Sequence, residues 1–363
     1  MPGDPYGPRF LLAGANLLLD TVSIRRAPRA AAFALCSLLA APAYGQEAGA
    51  NEATRGALVS ETVPPPPTAP AVPYVNPAEQ GFPWKKAGSV AIVGGIYGTA
   101  WVWVSAAWWS RKSDSNGFVF HDEGAFAIDT YAGGTDKLGH YYAAYLMNRG
   151  FAGIFEWGGF PRKGSIITAT VMTTTFLTAV EFKDAYHLKY GFSWGDIVSN
   201  SSGQLTALAL MLVPPLDRAI SVKIMYQPSG DFFHALSTDG PLNTPEDYSG
   251  QTYLLAYHFA SLPVVNRERS LRALRYVDFS IGYGTLGYKP VPDPPIPVRQ
   301  NLSFGFSVNF QAVFDDLLWP KRGTPSTGTQ VVHFINEVYQ VPYTRVPVLS
   351  LQRTGPATKE GRN

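Results

Sequence analysis

Residues 136–157 read DKLGHYYAAYLMNRGFAGIFEW, a polar opening followed by a run of aromatic and aliphatic side chains. The stretch predicts a helix, on which Asp136 and His140 stand four residues apart and therefore share a face. Residues 164–187 and 194–213 predict two further helices. Loops that contain Gly and Pro join these stretches, so the sequence indicates a helical bundle.

Residues 88–109 precede this region and contain no formal charge, although Lys85, Lys86, Arg111 and Lys112 flank them. Their length and their four tryptophans suit a helix that spans a membrane. A buried central helix in a compact bundle is the other interpretation, since Gly94, Gly95 and Gly98 would allow close packing. The sequence leaves both interpretations open.

The pattern changes after Pro214 and Pro215. Apolar and polar side chains alternate along residues 277–284 and 302–310, which predicts strands with one apolar and one polar face. Residues 252–259 and 330–339 are weaker strand candidates. An outer-membrane barrel would use such strands, but a single-chain barrel needs about eight of them. We therefore expect an α+β fold, with a bundle of about four apolar helices followed by a small antiparallel β meander.

The beginning of the chain has the order of a secretory signal. Three arginines precede the apolar residues 30–39, and small residues follow, so cleavage after Ala43 or Gly45 is expected. A short N-terminal membrane anchor is the alternative, but this run is short for a span. The only cysteine, Cys36, follows the bulky Leu35, where a lipoprotein signal requires a small residue. Lipidation is therefore not expected.

The composition favours a location near a membrane and argues against nucleic acid as a partner. Hydrophobic residues make up 46% of the chain and charged residues only 15%, which favours a membrane or membrane-adjacent protein. The formal net charge of +2 provides no basic field for nucleic acid. The expected segments are a signal peptide (1–45), a Pro-rich disordered linker (46–80), a helical domain (81–216), a β-rich region (217–345) and a tail (346–363).

Polar residues from three predicted helices can meet in one place. Asp136 and His140 open the first, Glu181 and Asp184 close the second, and Asp196 and Asn200 lie on the third. Buried carboxylates require pairing, protonation or a cation, because an unpaired buried charge is costly. Lys137 and Lys183 are available for pairing.

Three interpretations of this cluster stay open. The first is a structural network, in which Ser193 and Asp196 form a helix cap, Asp136 caps its helix or faces its dipole, and His140 and Asn200 bond across helices. The second is a divalent cation such as Mg, Mn or Ca, with Asp136, His140, Glu181 and Asp184 as ligands. The third is hydrolysis, with His140 as base, oriented by Asp136 or Glu181, and Ser193 as nucleophile.

The motifs in series resemble a known family. The residues that carry the resemblance are Trp108-Trp109, the stretch from Phe118 to Glu123, Asp136 to His140, Glu181 to Asp184, and Gly191 to Asp196 with Asn200 and Gly203. They resemble the uncharacterised YfiM-like family of predicted periplasmic lipoproteins, over about residues 88–210, and more remotely the VanZ-like membrane proteins. The resemblance implies an envelope location but no reaction. The chain departs from the family description at Cys36, because the residues around this cysteine do not form a proper lipobox.

We therefore expect an exported, membrane-associated envelope protein that faces the periplasm, with the outer membrane preferred over the inner. Its expected partners are the membrane or envelope lipids, or another envelope protein. The alternative is a hydrolase or transferase that acts on an envelope lipid or glycan with a divalent cation. The sequence does not choose between them.

Overall fold

The helix predicted at residues 136–157 is the central helix of the protein. The computed structural model describes residues 83–109, 117–121, 124–130, 132–233, 244–292, 294–317 and 326–357. Its four long helices are α1 (Trp84–Trp108), α2 (Thr135–Trp157), α3 (Arg162–Asp184) and α4 (Trp194–Leu212). All four were expected from the sequence, and the predicted boundaries differ from these by a few residues at most.

Helix α2 packs against α1, α3 and α4, and its buried aromatic residues Tyr142, Tyr145 and Phe151 form much of the core. The contact with α4 is especially close at Gly203. A Cβ atom added at Gly203 would lie 2.0 Å from the backbone oxygen of Tyr141. Gly203 therefore sets the distance between these two helices.

Helix α1 lies at the edge of the bundle, so the interpretation of residues 88–109 as a buried central helix is wrong. Only Ser89, Val93 and Val104 are buried in it. A Cβ atom at Gly94, Gly95 or Gly98 would meet nothing within 4 Å, so these glycines do not serve close packing. Among the described residues, α1 and α3 are long and apolar enough to cross a membrane.

The second half of the chain builds a five-stranded antiparallel meander in the order β1-β2-β3-β4-β5. The strands are β1 (Ile220–Tyr226), β2 (Gln251–His258), β3 (Val277–Leu286), β4 (Pro297–Val308) and β5 (Arg345–Ala357). Helix α5 (Pro214–Ala219) precedes β1. The later connections contain the helices α6 (Pro263–Arg267), α7 (Phe310–Leu317) and α8 (Thr327–Val338), with 3₁₀ turns at Thr244–Glu246, Tyr248–Gly250, Phe259–Ser261 and Arg272–Tyr276. The predicted α+β architecture is confirmed.

Two predictions in this half are wrong. Residues 330–339 form most of α8 rather than a strand, because Ser326 caps the helix by accepting a bond from the Thr329 amide. Residues 346–357 belong to β5 rather than to a tail, since they pair along β4. Strand β1 was not predicted at all.

The sheet buries its polar face. Asp278 and Ser280 of β3 are fully buried, whereas Phe279 and Ile281, on the opposite face, are only partly buried. Near the helices the apolar face is covered, because Val222 and Tyr253 pack into the helical core. Leu255 and Phe306, by contrast, are exposed by 45% and 43%. The meander therefore presents apolar side chains to its surroundings.

All described residues belong to one compact unit. The predicted signal peptide, the linker at 46–80 and Cys36 lie outside the described residues. They stay predictions.

Candidate functional site

The ends of three helices bring the predicted polar residues together. Helix α2 begins after Gly134, which has a φ of 89° and supplies no side-chain cap. Asp136 therefore lies in the first turn, where its charge faces the helix dipole, and is not the N-cap. At the start of α4, Ser193 accepts a bond from the Asp196 amide, as the cap prediction requires.

Lys137 is the cation at the centre of this cluster. Its Nζ lies 2.9 Å from Asp136 Oδ2 and 2.7 Å from Asp196 Oδ1, and it donates to Ser193 Oγ at 3.4 Å. The side chains of Lys137 and Asp196 are almost fully buried. One ammonium group therefore neutralises carboxylates from two helices.

His140 lies between carboxylates on both sides of its ring. Its Nδ1 is 3.5 Å from Glu181 Oε1, while its Nε2 is 3.5 Å from Asp196 Oδ1 and 3.9 Å from Asp136 Oδ1. Burial lowers the pKa of His140, but the charges of Asp196, Asp136 and Glu181 together outweigh it and raise the pKa to about 9. The geometry favours an imidazolium that links α2, α3 and α4.

Both carboxyl groups of α3 have raised pKa values. Burial raises the pKa of Glu181 well above its usual range, against the opposing charge of His140. Burial also raises the pKa of Asp184, to about 7, although the bond of 2.6 Å from Trp109 Nε1 to its Oδ1 lowers it. Glu181 is 1% exposed, and its Oε1 makes no hydrogen bond with the described residues. This end of the bundle can therefore hold protons.

The predicted metal ligands are not the set that converges most closely. Among the described residues, donor atoms of Asp136, His140 and Asp196 lie within 4.8 Å of one another, without Glu181 or Asp184. However, the Lys137 ammonium group already bonds to both of these aspartates. A divalent cation bound to this set would have to displace it.

Ser193 contacts the cluster through Lys137, whereas the Asn200 amide makes no bond with the described residues of the cluster. The contacts found for Ser193 Oγ within the described residues are with Lys137 and with the Asp196 amide that it caps, so none supports its activation by His140. Asn200 is buried, and neither atom of its amide bonds to a described residue. Lys183 lies over the Trp109 ring at 5.9 Å instead of reaching a carboxylate of the cluster.

Sequence reasoning missed two partners of this cluster and one separate buried site. Tyr248, in a turn before β2, donates to Asp136 Oδ1 at 3.2 Å, and Trp109 binds Asp184. In the sheet, the fully buried Asp278 lies 2.7 Å from His258 Nδ1 and 3.4 Å from Lys223 Nζ. His258 and Asp278 are cross-strand neighbours, so pairing the two predicted strands in register would have found them.

A cavity of about 1050 Å³ opens beside the cluster. Helices α1, α2 and α3 contribute apolar side chains to its wall, whereas Asp136, His140, Asp184 and Asp196 line its polar part. The turn residue Tyr248 and the strand residue Tyr253 also line it. The cluster is therefore accessible from a space large enough for a ligand.

Residues 122–212 match the model of a family described as "Predicted periplasmic lipoprotein (DUF2279)". The match includes the whole polar cluster of α2, α3 and α4. It indicates an exported envelope protein of unknown function with a periplasmic location. No curated protein and no solved structure matches the chain. The YfiM-like and VanZ-like resemblances stay predictions.

Proposed function

We propose that this chain is a membrane-associated envelope protein, in which the polar cluster fixes the register of the helices while their apolar outer sides contact lipid. The observation that carries the proposal is the exposure of α1: in its most apolar window of 18 residues, only 11% are buried. A patch of this kind on a soluble protein normally marks a contact with a membrane or a partner.

Exposed apolar side chains also occur on other helices. Large apolar side chains are exposed on α1 (Val90, Ile92, Ile96, Val102), on α3 (Ile167, Val171) and on α4 (Val198, Leu205, Leu212). Charged residues of α1 and α3 lie near their ends, at Lys85 and Lys86 and at Arg162 and Lys163. The sheet adds the exposed residues Leu255 and Phe306. Lipid contact removes such surface from water, which stabilises the protein by roughly 25 cal/mol for each Å².

The register of the helices follows from the ion pairs. Lys137 of α2 binds Asp196 of α4, and His140 of α2 faces Glu181 of α3. A shift of α2 along α4 would separate the buried Lys137 from Asp196, which costs several kcal/mol. The cluster therefore supports a structural role, as in the first interpretation.

Fractionation of cells that express the full chain tests the membrane assignment. We expect the protein to stay with the membrane pellet after an alkaline carbonate wash, and to sediment with the outer membrane in a density gradient. Ile96→Glu should release a large part of it, because a charge on α1 opposes lipid contact. Val264→Glu, at an exposed position of α6, is the matched control. Wild-type protein that appears wholly in the soluble periplasm would overturn the proposal.

A second candidate is an enzyme that acts on an envelope lipid or glycan with a divalent cation. The proximity of donor atoms from Asp136, His140 and Asp196 favours it. Elemental analysis of the purified chain, with melting measured before and after a chelator, tests this candidate. A bound divalent metal and a lower Tm after chelation would support it. An unchanged Tm and no bound metal would count against it.

A further inference from the structure

One end of the helical bundle carries a group of exposed basic side chains. The first turn of α1 contains Lys85 and Lys86, and α3 begins with Arg162 and Lys163. All four side chains are exposed. We call these four residues the basic end. The polar cluster lies at the other end of α3, where Glu181 is found.

The starts of α1 and α3 lie side by side, because both adjoin the end of α2. Gly158 follows α2 directly, and a Cβ atom added there would lie 3.2 Å from the backbone oxygen of Lys85. The Lys86 ammonium group lies over the ring of Phe160 at 5.7 Å, and Phe160 is in the short loop before α3. The basic end is therefore one surface of the fold and not two separate helix ends.

The charge of the basic end is largely uncompensated within the described residues. Glu156 of α2 binds Arg162 at 3.0 Å. No carboxylate in the described ranges pairs with Lys85, Lys86 or Lys163. The charges of the polar cluster, by contrast, pair with one another. Three ammonium groups are therefore available at the basic end, and their charge complements an anionic partner.

Apolar surface begins next to the basic end. Val90, Ile92 and Ile96 are exposed on α1, and Ile167 and Val171 are exposed on α3. Helix α1 has 25 residues and is about 37 Å long at about 1.5 Å for each residue, whereas the hydrocarbon core of a bilayer is about 30 Å thick. When these helix sides contact lipid, the basic end lies at the level of the headgroups.

We propose that the basic end binds the phosphate groups of anionic phospholipids. Trp84 begins α1 and is 77% exposed, which agrees with a position among headgroups, where tryptophan is enriched in membrane proteins. Each basic side chain near an anionic membrane surface strengthens binding roughly fivefold. The inference rests on the proposed membrane association, because contact of α1 and α3 with lipid brings the basic end to the headgroups.

Native mass spectrometry of the full chain in detergent tests the proposal. Phosphatidylglycerol is the probe, and phosphatidylcholine with the same acyl chains is its counterpart without net charge. We expect phosphatidylglycerol to bind at least about tenfold tighter, which is less than three lysines at full strength would give. More ammonium acetate should reduce the difference, because salt screens exposed charges. Equal affinities for the two lipids would overturn the proposal.

A triple variant tests the location. Replacement of Lys85, Lys86 and Lys163 by glutamine should remove most of the preference for phosphatidylglycerol and leave the binding of phosphatidylcholine unchanged. Glycerol phosphate in excess should not displace the lipid from the wild type, because it lacks the acyl chains that hold a headgroup at this surface. Displacement by glycerol phosphate would assign the basic end to a free anion instead.

The matched control removes the same charge elsewhere. Arg267, Arg269 and Arg272 are exposed positions between β2 and β3, and their replacement by glutamine should keep the preference. Thermal melting shows whether both variants are folded. Equal losses in the two folded variants would mean that net charge, and not the basic end, selects the lipid. A wild-type chain that fractionates with membranes but shows no preference would contradict this proposal alone.

Discussion

Lys137 is buried and contacts two carboxylates. Among the described residues of the cluster, no other lysine does both. Its side chain is 6% exposed, and its ammonium group bonds to carboxylates that belong to two different helices. The rest of the cluster is acidic except for His140. The net charge in this part of the bundle is therefore set by one lysine, one histidine and the protons on Glu181 and Asp184.

Replacement of Lys137 by methionine should destabilise the protein by about 3–5 kcal/mol, because Asp136 and Asp196 would lose the buried ammonium group that bonds to both of them. The measurement is the free energy of unfolding in urea at pH 7. Glu156→Gln is the control, since it removes the exposed pair with Arg162 and should cost less than about 1 kcal/mol. Similar small losses in both variants would show that the Lys137 pairs contribute little.

The raised pKa values of His140, Glu181 and Asp184 predict an unusual dependence of stability on pH. The folded state holds the His140 proton up to about pH 9, whereas an unfolded histidine releases it near pH 6.5. This contribution is complete below pH 6.5 and is lost as the pH rises through 9. Glu181 and Asp184 also bind protons more tightly when folded, so they act in the same direction above about pH 4.

The free energy of unfolding should therefore fall as the pH rises from about 6.5 to 9. Urea unfolding at several pH values measures it. His140→Gln should flatten the curve over this range, and His333→Gln, far from the cluster in the chain, is the control. Stability that rises between pH 6.5 and 9 in the wild type would contradict the assigned shifts.

For single residues, the sequence predicted that the polar side chains of the three helices lie close together, but not which of their atoms bond to one another. Asp136, His140, Glu181 and Asp184 were identifiable because helical spacing of three or four places them on one face. Trp109 and Tyr248 were not, since they come from the end of α1 and from a turn near the sheet, and no local pattern reports their distance from the cluster. The central role of Lys137 likewise depends on how α2 and α4 pack.

At the level of whole elements, the packing of α2 against α4 depends on one small residue, Gly203. Gly203→Ala would place a Cβ atom 2.0 Å from Tyr141 O and 3.1 Å from the Ala144 side chain, so α4 would have to move. We expect a loss of about 1–3 kcal/mol, as for overpacked cores, measured by chemical denaturation.

Gly95→Ala is the matched control, because it lies inside α1 and its Cβ atom would meet nothing within 4 Å. It should be neutral or stabilise the protein by up to about 1 kcal/mol through helix propensity. A similar loss in both variants would mean that the close contact at Gly203 is not the cause.

The elements differ in how much of their structure the local sequence determines. Helices α2, α3 and α4 were predictable because long apolar stretches end at Gly and Pro. Residues 330–339 were assigned to a strand because a short apolar run does not separate strand from helix. Strand β5 was missed since both its faces are largely exposed, so burial imposes no alternation on it; only pairing with β4 defines it.

For the whole molecule, the proposed membrane association and the distribution of apolar surface together predict what anchors the protein. Exposed apolar side chains occur on α1, α3, α4 and both faces of β5, which includes Val348 and Leu351. Contact with lipid would remove these side chains from water, which stabilises the bound state by roughly 25 cal/mol for each Å² of apolar surface. Retention should therefore not require a lipid on Cys36, even though the matching family is described as lipoproteins.

Cys36→Ala is consequently expected to leave the fraction of protein in the carbonate-washed membrane pellet unchanged, and Ile96→Glu should lower it in the same assay. The mature mass should correspond to cleavage after Ala43 or Gly45, without an added acyl group, as measured by intact-protein mass spectrometry. Loss of retention in Cys36→Ala, together with an acylated mature wild type, would assign the anchor to the lipid. The apolar sides of the helices would then face another envelope protein, because lipid contact would no longer explain their exposure.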